Sequence, residues 1–177
     1  MISGLRRALR PLGSLLPSSL AERVRGALFP MPMAEVERVL ALLDDVGLAV
    51  VVGGGWGIDA LLGRATRRHR DLDLVVPSDA DAEAVIDALA SIGYRRVEGE
   101  TPGGGWMPTL LVTRNPRGRT VDVLPVARVA ESGATTTGRI GGRTVTCLSP
   151  AIQSLFHSGY DQRPVDQRDL AALRALS

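Results

Sequence analysis

The sequence lacks the residues on which several common kinds of site depend. Cys147 is its single cysteine, which excludes an internal disulfide and any zinc site built from several cysteines. The sequence has only two histidines, so it offers few residues from which to build a zinc centre or a Cys/His catalytic pair. This cysteine usage favours a reducing, cytoplasmic setting.

A long hydrophobic run and a strong net charge are also absent. No apolar run approaches the roughly 20 residues that a membrane span needs, so we expect no membrane contact. A net charge of +2 argues against a broad nucleic-acid-binding face. Lysine is missing, and all 21 basic residues are arginine. Base composition explains that bias most simply, although arginine suits bidentate phosphate contacts.

The length of 177 residues predicts one domain with a short appendage. We assign residues 1–32 to a basic amphipathic N-terminal extension and residues 33–177 to the domain with its C-terminal helices. Pro11 and Pro17 interrupt the leucine-rich part of the extension, which argues against a signal peptide.

Three glycines, Gly53 to Gly55, lie between two predicted elements. Apolar residues at three- and four-residue spacing predict a helix over 34–46, and the aliphatic run 48–52 predicts a strand buried on both faces. A short helix over 56–62 would follow the glycines directly. Its N-terminal backbone N–H groups could then bind an anion.

Two carboxylates lie inside the next predicted strand, residues 71–76. Asp71 and Asp73 are two residues apart, so both project from one face of that strand. Neighbouring carboxylates repel unless a cation lies between them, and Mg²⁺ binds through one or two carboxylates plus substrate phosphates. A solvated edge strand is the alternative explanation for this pair alone.

The remaining chain supplies further strands and two closing helices. Ser78 and Ser149 are expected to cap helices, the second beginning at Pro150. Asp166 and Asp169 are expected to cap a helix or lie on the surface. The other predicted elements are an edge strand at 94–97, a hairpin of 109–113 with 120–124, a strand at 143–148, and helices at 149–157 and 164–176.

Asp122 lies between Val121 and Val123 in the second hairpin strand, the pattern expected if it faces the same pocket as the first two acids. Three carboxylates can hold two metal ions, which would stabilise both the attacking and the leaving oxygen of an in-line displacement. Other glycine-loop explanations fail, because no Gly-Lys-Ser/Thr follows the glycines and the third glycine of the dinucleotide fingerprint is misplaced.

The segment GGWGIDALLGRATRRHRDLDL, with the later Asp122 strand, resembles the nucleotidyltransferase superfamily related to DNA polymerase β. More narrowly, it resembles the small antibiotic adenylyltransferases that modify lincosamides or the 2″-hydroxyl of aminoglycosides. The resemblance implies an α/β (α+β) nucleotidyltransferase fold, with a mixed, partly antiparallel sheet flanked by helices. It also implies a Mg²⁺-dependent enzyme, expected to use two ions and ATP or another NTP, that acts on a small hydroxylated acceptor and can form a homodimer.

The resemblance assigns roles to individual residues. Asp71, Asp73 and Asp122 would be catalytic, the first two holding Mg²⁺ and Asp122 ligating a second ion or accepting the acceptor's proton. The expected nucleotide contacts are Gly54, Gly55, Trp56, Arg67, His69, His157 and Tyr160. Core packing is an alternative role for Trp56, a buried hydrogen-bonded role is an alternative for His157, and Asp59 is expected to brace the glycine turn.

Two other functions stay open at this point. A nucleotidyltransferase toxin would modify a protein or tRNA, for which the N-terminal arginines could supply a basic surface. A member of the fold without catalysis would bind nucleotide or a partner protein. The presence of all three acids favours an enzyme over the second of these.

Overall fold

The computed structural model describes residues 29–97, 109–157 and 164–175, and within them a mixed sheet organises the chain. Its strands are β1 Val51–Val52, β2 Asp71–Val76, β3 Arg95–Arg96, β4 Leu111–Arg114, β5 Thr120–Pro125, β6 Thr135–Ile140 and β7 Arg143–Leu148. They lie in the order β3-β4-β5-β2-β1-β7-β6. The pairs β2/β5 and β1/β7 are parallel and the other neighbours are antiparallel, as the predicted mixed sheet requires.

Helices connect these strands close to the predicted positions. They are α1 Met33–Asp45, α2 Gly54–Leu62, α3 Asp79–Ser91, α4 Pro150–His157 and α5 Pro164–Arg174, with a short 3-10 helix, η1, at Ala127–Ala130. None of the helices in the described ranges is long and apolar enough to cross a membrane.

The two faces of the sheet bury different apolar clusters. Leu72, Leu74 and Val123 belong to a large cluster with residues of α1 and α3. Val75 and Leu148 belong to a smaller one with Val129 of η1 and with apolar side chains of α4. Adjacent strand residues point to opposite faces, so the second cluster lies on the same face as Asp73.

Two strand predictions need correction. The strand expected over 48–52 is reduced to Val51–Val52; Ala49 is exposed and Leu48 only half-buried, so the run is not buried on both faces. Strand β6 was not predicted, because TTTGRI is mostly polar, yet it pairs with β7 along its whole length. Gly138 is needed there, since a Cβ would lie 2.8 Å from the Ala60 backbone of α2.

The two expected serine caps differ. Ser78 caps α3 as predicted, since its Oγ accepts a hydrogen bond from the Asp81 N–H. Helix α4 begins at Pro150 as predicted, but the Ser149 hydroxyl is buried and has no hydrogen-bond partner among the residues that the structure describes. The Ser149 backbone carbonyl instead accepts from the Gln153 N–H at 2.9 Å. The expected side-chain cap at Ser149 is therefore wrong.

Residues just ahead of α1 already pack in the domain. Met31 is 2% exposed, and its N–H donates to the carbonyl of His69 at 2.9 Å. Most of the expected N-terminal extension, up to residue 28, lies outside the described residues.

Candidate active site

The predicted carboxylates are brought together by the pairing of β2 with β5. The two strands run parallel, and Asp73 is the register partner of Asp122. Register partners in neighbouring strands point to the same face, and Asp71 shares that face two residues upstream. Asp122 is 9% exposed, whereas Asp71 and Asp73 are half-buried. The structure therefore forms a row of three carboxylates from distant parts of the sequence.

The glycine turn lies directly against this row. The Gly53 N–H donates to the Asp73 carbonyl at 3.0 Å, and helix α2 begins at the next residue. Gly54 has a φ of +54°, and a Cβ at that position would overlap the Asp73 carboxylate. The N-cap residue Gly53 has no side chain with which to cap this end of α2. Its first-turn N–H groups are therefore suited to bind an anion beside Asp73.

A buried hydrogen-bonded pair, Asp59 with His69, joins α2 to the segment that leads into β2. The Asp59 carboxylate lies 2.6 Å from His69 Nε2 and also accepts from the Thr66 hydroxyl and backbone N–H. Burial opposes ionisation of Asp59, but the hydrogen bonds from His69 and Thr66 outweigh it and lower its pKa. We call Asp59, Thr66 and His69 the turn brace. It agrees with the bracing role expected for Asp59.

Three predicted nucleotide contacts, Trp56, Arg67 and His69, lie behind the glycine turn. The ring centroids of Trp56 and His69 are 4.6 Å apart, and the two residues are 4% and 2% exposed. Arg67 Nη2 donates to the Asp169 carboxylate at 2.9 Å. A Cβ on Gly55 would overlap His69 and lie 2.7 Å from Arg67 Nη2. All three side chains thus contact protein groups that support the turn.

The C-terminal helices approach the turn from another direction. Gln153 of α4 is 1% exposed, and its Nε2 donates to the Gly54 carbonyl at 3.4 Å. His157 lies one helical turn later, is buried, and has Nδ1 3.8 Å from the Asp166 carboxylate. Tyr160 lies outside the described residues. Sequence reasoning missed Gln153, although a polar residue one turn before His157 on an apolar helix was an available signal.

Asp166 and Asp169 are both buried, at 0% and 5% exposure, so the expected surface position is wrong for each. Asp166 lies 3.8 Å from His157 Nδ1 and Asp169 accepts from Arg67 Nη2 at 2.9 Å, which explains how two carboxylates are accommodated inside the protein.

A second buried polar group surrounds Glu35 of α1, which sequence reasoning also missed. Its carboxylate accepts from Arg119 Nη1 at 2.8 Å, Arg38 Nη1 at 3.0 Å and the Tyr94 hydroxyl at 3.1 Å, with Asn115 Nδ2 at 3.4 Å. Burial and the Glu35 carboxylate together raise the Tyr94 pKa. We call Glu35, Tyr94, Asn115 and Arg119 the hairpin anchor, because it ties α1 to the β4–β5 turn just before the strand that carries Asp122.

The carboxylate row fits a metal ion that the substrate helps to hold. Within residues 29–97, 109–157 and 164–175, no three histidine, cysteine, aspartate or glutamate side chains are grouped so as to hold a metal ion. Mg²⁺ rarely uses such an all-protein cage, since it binds through one or two carboxylates, waters and substrate phosphates. Asp73 beside Asp122, with the space kept open by Gly54, matches that mode of binding.

The carboxylate row, which suits a cation, and the uncapped N-terminus of α2, which suits phosphates, form one surface. A sheet of this topology with this surface defines a nucleotidyltransferase, an enzyme that positions a nucleoside triphosphate and stabilises charge during transfer. A family model for aminoglycoside-2″-adenylyltransferase matches residues 35–173. The chain belongs to this family, so the predicted family and enzyme class are confirmed.

Curated relatives agree with that assignment. A lincosamide resistance protein of Staphylococcus haemolyticus is 29% identical over 162 residues, covering 81% of this chain and 94% of the relative. A 2″-aminoglycoside nucleotidyltransferase of Escherichia coli is 43% identical over 56 residues, covering 30% of this chain and 32% of that protein. The second similarity is therefore local.

Solved structures share the fold. The lincosamide antibiotic adenylyltransferase LnuA, bound to lincomycin, superposes with a TM-score of 0.69 at 23% identity, covering 84% of this chain and 99% of LnuA. ANT(2″)-Ia, in complex with adenylyl-2″-tobramycin, gives a TM-score of 0.63 at 26% identity, covering 81% and 86% of the two chains. The predicted nucleotidyltransferase fold is confirmed.

Proposed function

We propose that this enzyme transfers AMP from ATP to a hydroxyl group of a small molecule, an antibiotic of the kind that its relatives modify, and releases pyrophosphate. The observation that carries the proposal is the pairing of Asp73 with Asp122 beside the uncapped start of α2. The names of the relatives support the adenylyl group and the small acceptor.

In this reaction the acceptor oxygen attacks the α-phosphorus of ATP, and the bond from that phosphorus to the bridging oxygen of pyrophosphate breaks. Asp122 accepts the hydroxyl proton, because it is the carboxylate on the strand next to Asp73. Asp71 and Asp73 would hold Mg²⁺, and Asp122 would contribute to a second ion. Such an ion would supply charge neutralisation for the triphosphate and the departing pyrophosphate.

The backbone N–H groups of Gly54 and Gly55 bind the triphosphate at the positive end of α2. We propose that Arg67 reaches a phosphate with the part of its guanidinium that does not bind Asp169, and that His157 and Tyr160 contact the nucleoside. His69 and Trp56 act on the phosphates through the glycine turn, because both are buried behind it.

Mass spectrometry of reactions containing ATP, Mg²⁺ and pooled lincosamides and aminoglycosides tests the proposal. We expect an acceptor heavier by one AMP group, together with released pyrophosphate. Asp73→Asn should lower the rate by roughly 10²–10³-fold, the cost of losing one group that stabilises charge in the transition state. Asp87→Asn, a change of the same chemistry on the exposed side of α3, should leave the rate unchanged.

Two outcomes would contradict the proposal. Metal-dependent ATP binding by calorimetry with no adduct across the pool would favour a member of the fold without catalysis. Labelling of protein or tRNA instead, lost on deletion of residues 1–28, would favour the toxin-like reaction.

A cytoplasmic location, a second Mg²⁺ and a homodimer stay predictions. Light scattering would check the homodimer.

A further inference from the structure

An apolar pocket opens on the carboxylate face of the sheet, between η1 and α4. Its cavity volume is about 80 Å³. We call it the η1–α4 pocket, and its lining residues are Val126, Arg128, Val129, Leu148, Ile152, Leu155 and Phe156. We propose that it binds an apolar portion of the acceptor molecule while the acceptor's hydroxyl lies at the carboxylate row. This inference rests on the proposed function.

The pocket adjoins the catalytic surface. Leu148 lines the pocket, and its Cδ1 would lie 3.4 Å from a Cβ on Gly53, with the Asp73 Cβ 3.7 Å from the same point. Val75 follows Asp73 on the same strand face and packs with Leu148 and Val129. A two-residue step along a strand is about 7 Å. A molecule the size of a substituted sugar can therefore span both regions.

The lining selects the chemistry of the ligand. Apart from Arg128, every lining side chain is aliphatic or aromatic. A polycationic acceptor would need carboxylates here, and none of the lining residues carries one. The adenine edge of ATP presents hydrogen-bond donors and acceptors that aliphatic side chains cannot satisfy, so burying it here would be costly. An alkyl or ring substituent of a hydroxylated molecule fits this lining best.

Charge placed at the pocket tests the inference kinetically. Leu155 is 41% exposed, so Leu155→Glu should fold, and Val46→Glu is a matched control at a 54% exposed position on the far end of α1. With the acceptor found by mass spectrometry, Leu155→Glu should raise the acceptor KM at least tenfold and leave the ATP KM within twofold. An equal or larger rise in the ATP KM, or kinetics equal to those of Val46→Glu, would overturn the inference.

Binding measured without turnover separates this inference from the proposed function. Octyl β-D-glucoside, below its micelle concentration, should shift the methyl NMR signals of Leu148 and Ile152 saturably, whereas methyl β-D-glucoside should not. Leu155→Glu should abolish that shift, and Val46→Glu should retain it. If octyl glucoside binds but no AMP adduct of any acceptor is found, the proposed function is contradicted and the pocket assignment is not. Turnover without octyl glucoside binding, or binding that does not compete with the acceptor, would overturn the pocket assignment.

Discussion

The turn brace and the hairpin anchor are two buried polar groups that stand behind the same catalytic surface. The brace joins residues that are close in sequence, since Asp59 and His69 are 10 positions apart. The anchor joins residues far apart, with 84 positions between Glu35 and Arg119 and 59 between Glu35 and Tyr94. The brace shapes the turn proposed to bind phosphates, whereas the anchor fixes the strand that carries Asp122.

Two separate sets of residues therefore hold the two sides of the site. Residues of α2 and its following loop can hold the glycine turn even if the hairpin shifts. Asp122 depends on contacts that exist only when α1, β3 and the β4–β5 turn have all assembled. We therefore expect damage to the brace to affect nucleotide binding, and damage to the anchor to affect the chemical step.

Removal of the anchor carboxylate should have the largest effect on stability. Glu35→Ala leaves Arg119 and Tyr94 without their buried partner, and such a loss costs about 3–5 kcal/mol of unfolding free energy. Urea denaturation measures it. In the fraction that stays folded, kcat should fall while the KM for ATP stays within a few-fold, because β5 moves and α2 does not.

Glu83→Ala is the matched control for that variant. Glu83 forms an exposed ion pair with Arg96, and pairs of this kind contribute no more than about 1 kcal/mol. A loss of stability in Glu35→Ala no greater than in Glu83→Ala would show that the anchor is not structural. A selective rise in the KM for ATP in Glu35→Ala would contradict the proposed difference between the hairpin anchor and the turn brace.

Asp59→Asn should have a smaller effect on stability, about 1–3 kcal/mol, because it weakens charge-assisted hydrogen bonds without deleting the side chain. The expected kinetic signature is a raised KM for ATP. The folded-state pKa of Asp59 lies below its ordinary value of 3.8, so its stabilising contribution is complete above pH 3.8. That contribution is lost as the pH falls through the folded-state pKa.

The stability difference between wild type and Asp59→Asn should therefore shrink below pH 3.8. Denaturation at a series of pH values measures it. A difference that grows on acidification would contradict the charged brace. Thr66→Val serves as a control, because it removes one hydrogen bond to Asp59 and leaves the titrating carboxylate in place.

Much of the fold and the acidic row could be predicted because the relevant signals are local. Alternation placed Asp71 and Asp73 on one face, and the same rule placed Asp122 with them. Part of the turn brace was predicted, namely the role of Asp59, because Asp59 follows the glycines closely. Periodicity likewise gave α1 and α3, whose apolar residues repeat along one face.

What could not be predicted depends on distant partners. Glu35 lies on the first turn of an amphipathic helix, where an acidic residue usually faces solvent, and only the assembled hairpin buries it. Strand β6 has few apolar residues and is specified by β7 and by the close passage of α2 at Gly138. The burial of Asp169 depends on its hydrogen bond with Arg67, and no local sequence pattern reveals the position of Arg67.

The most direct test of the account is the single-turnover rate of AMP transfer by Asp122→Asn, measured beside wild type with saturating ATP and acceptor. Because Asp122 is the register partner of Asp73, we predict ATP binding close to wild type and a transfer rate reduced by roughly 10²–10⁴-fold, the range for loss of a general base. Transfer at the wild-type rate would contradict the account, since the β2/β5 pairing would then play no part in the chemistry.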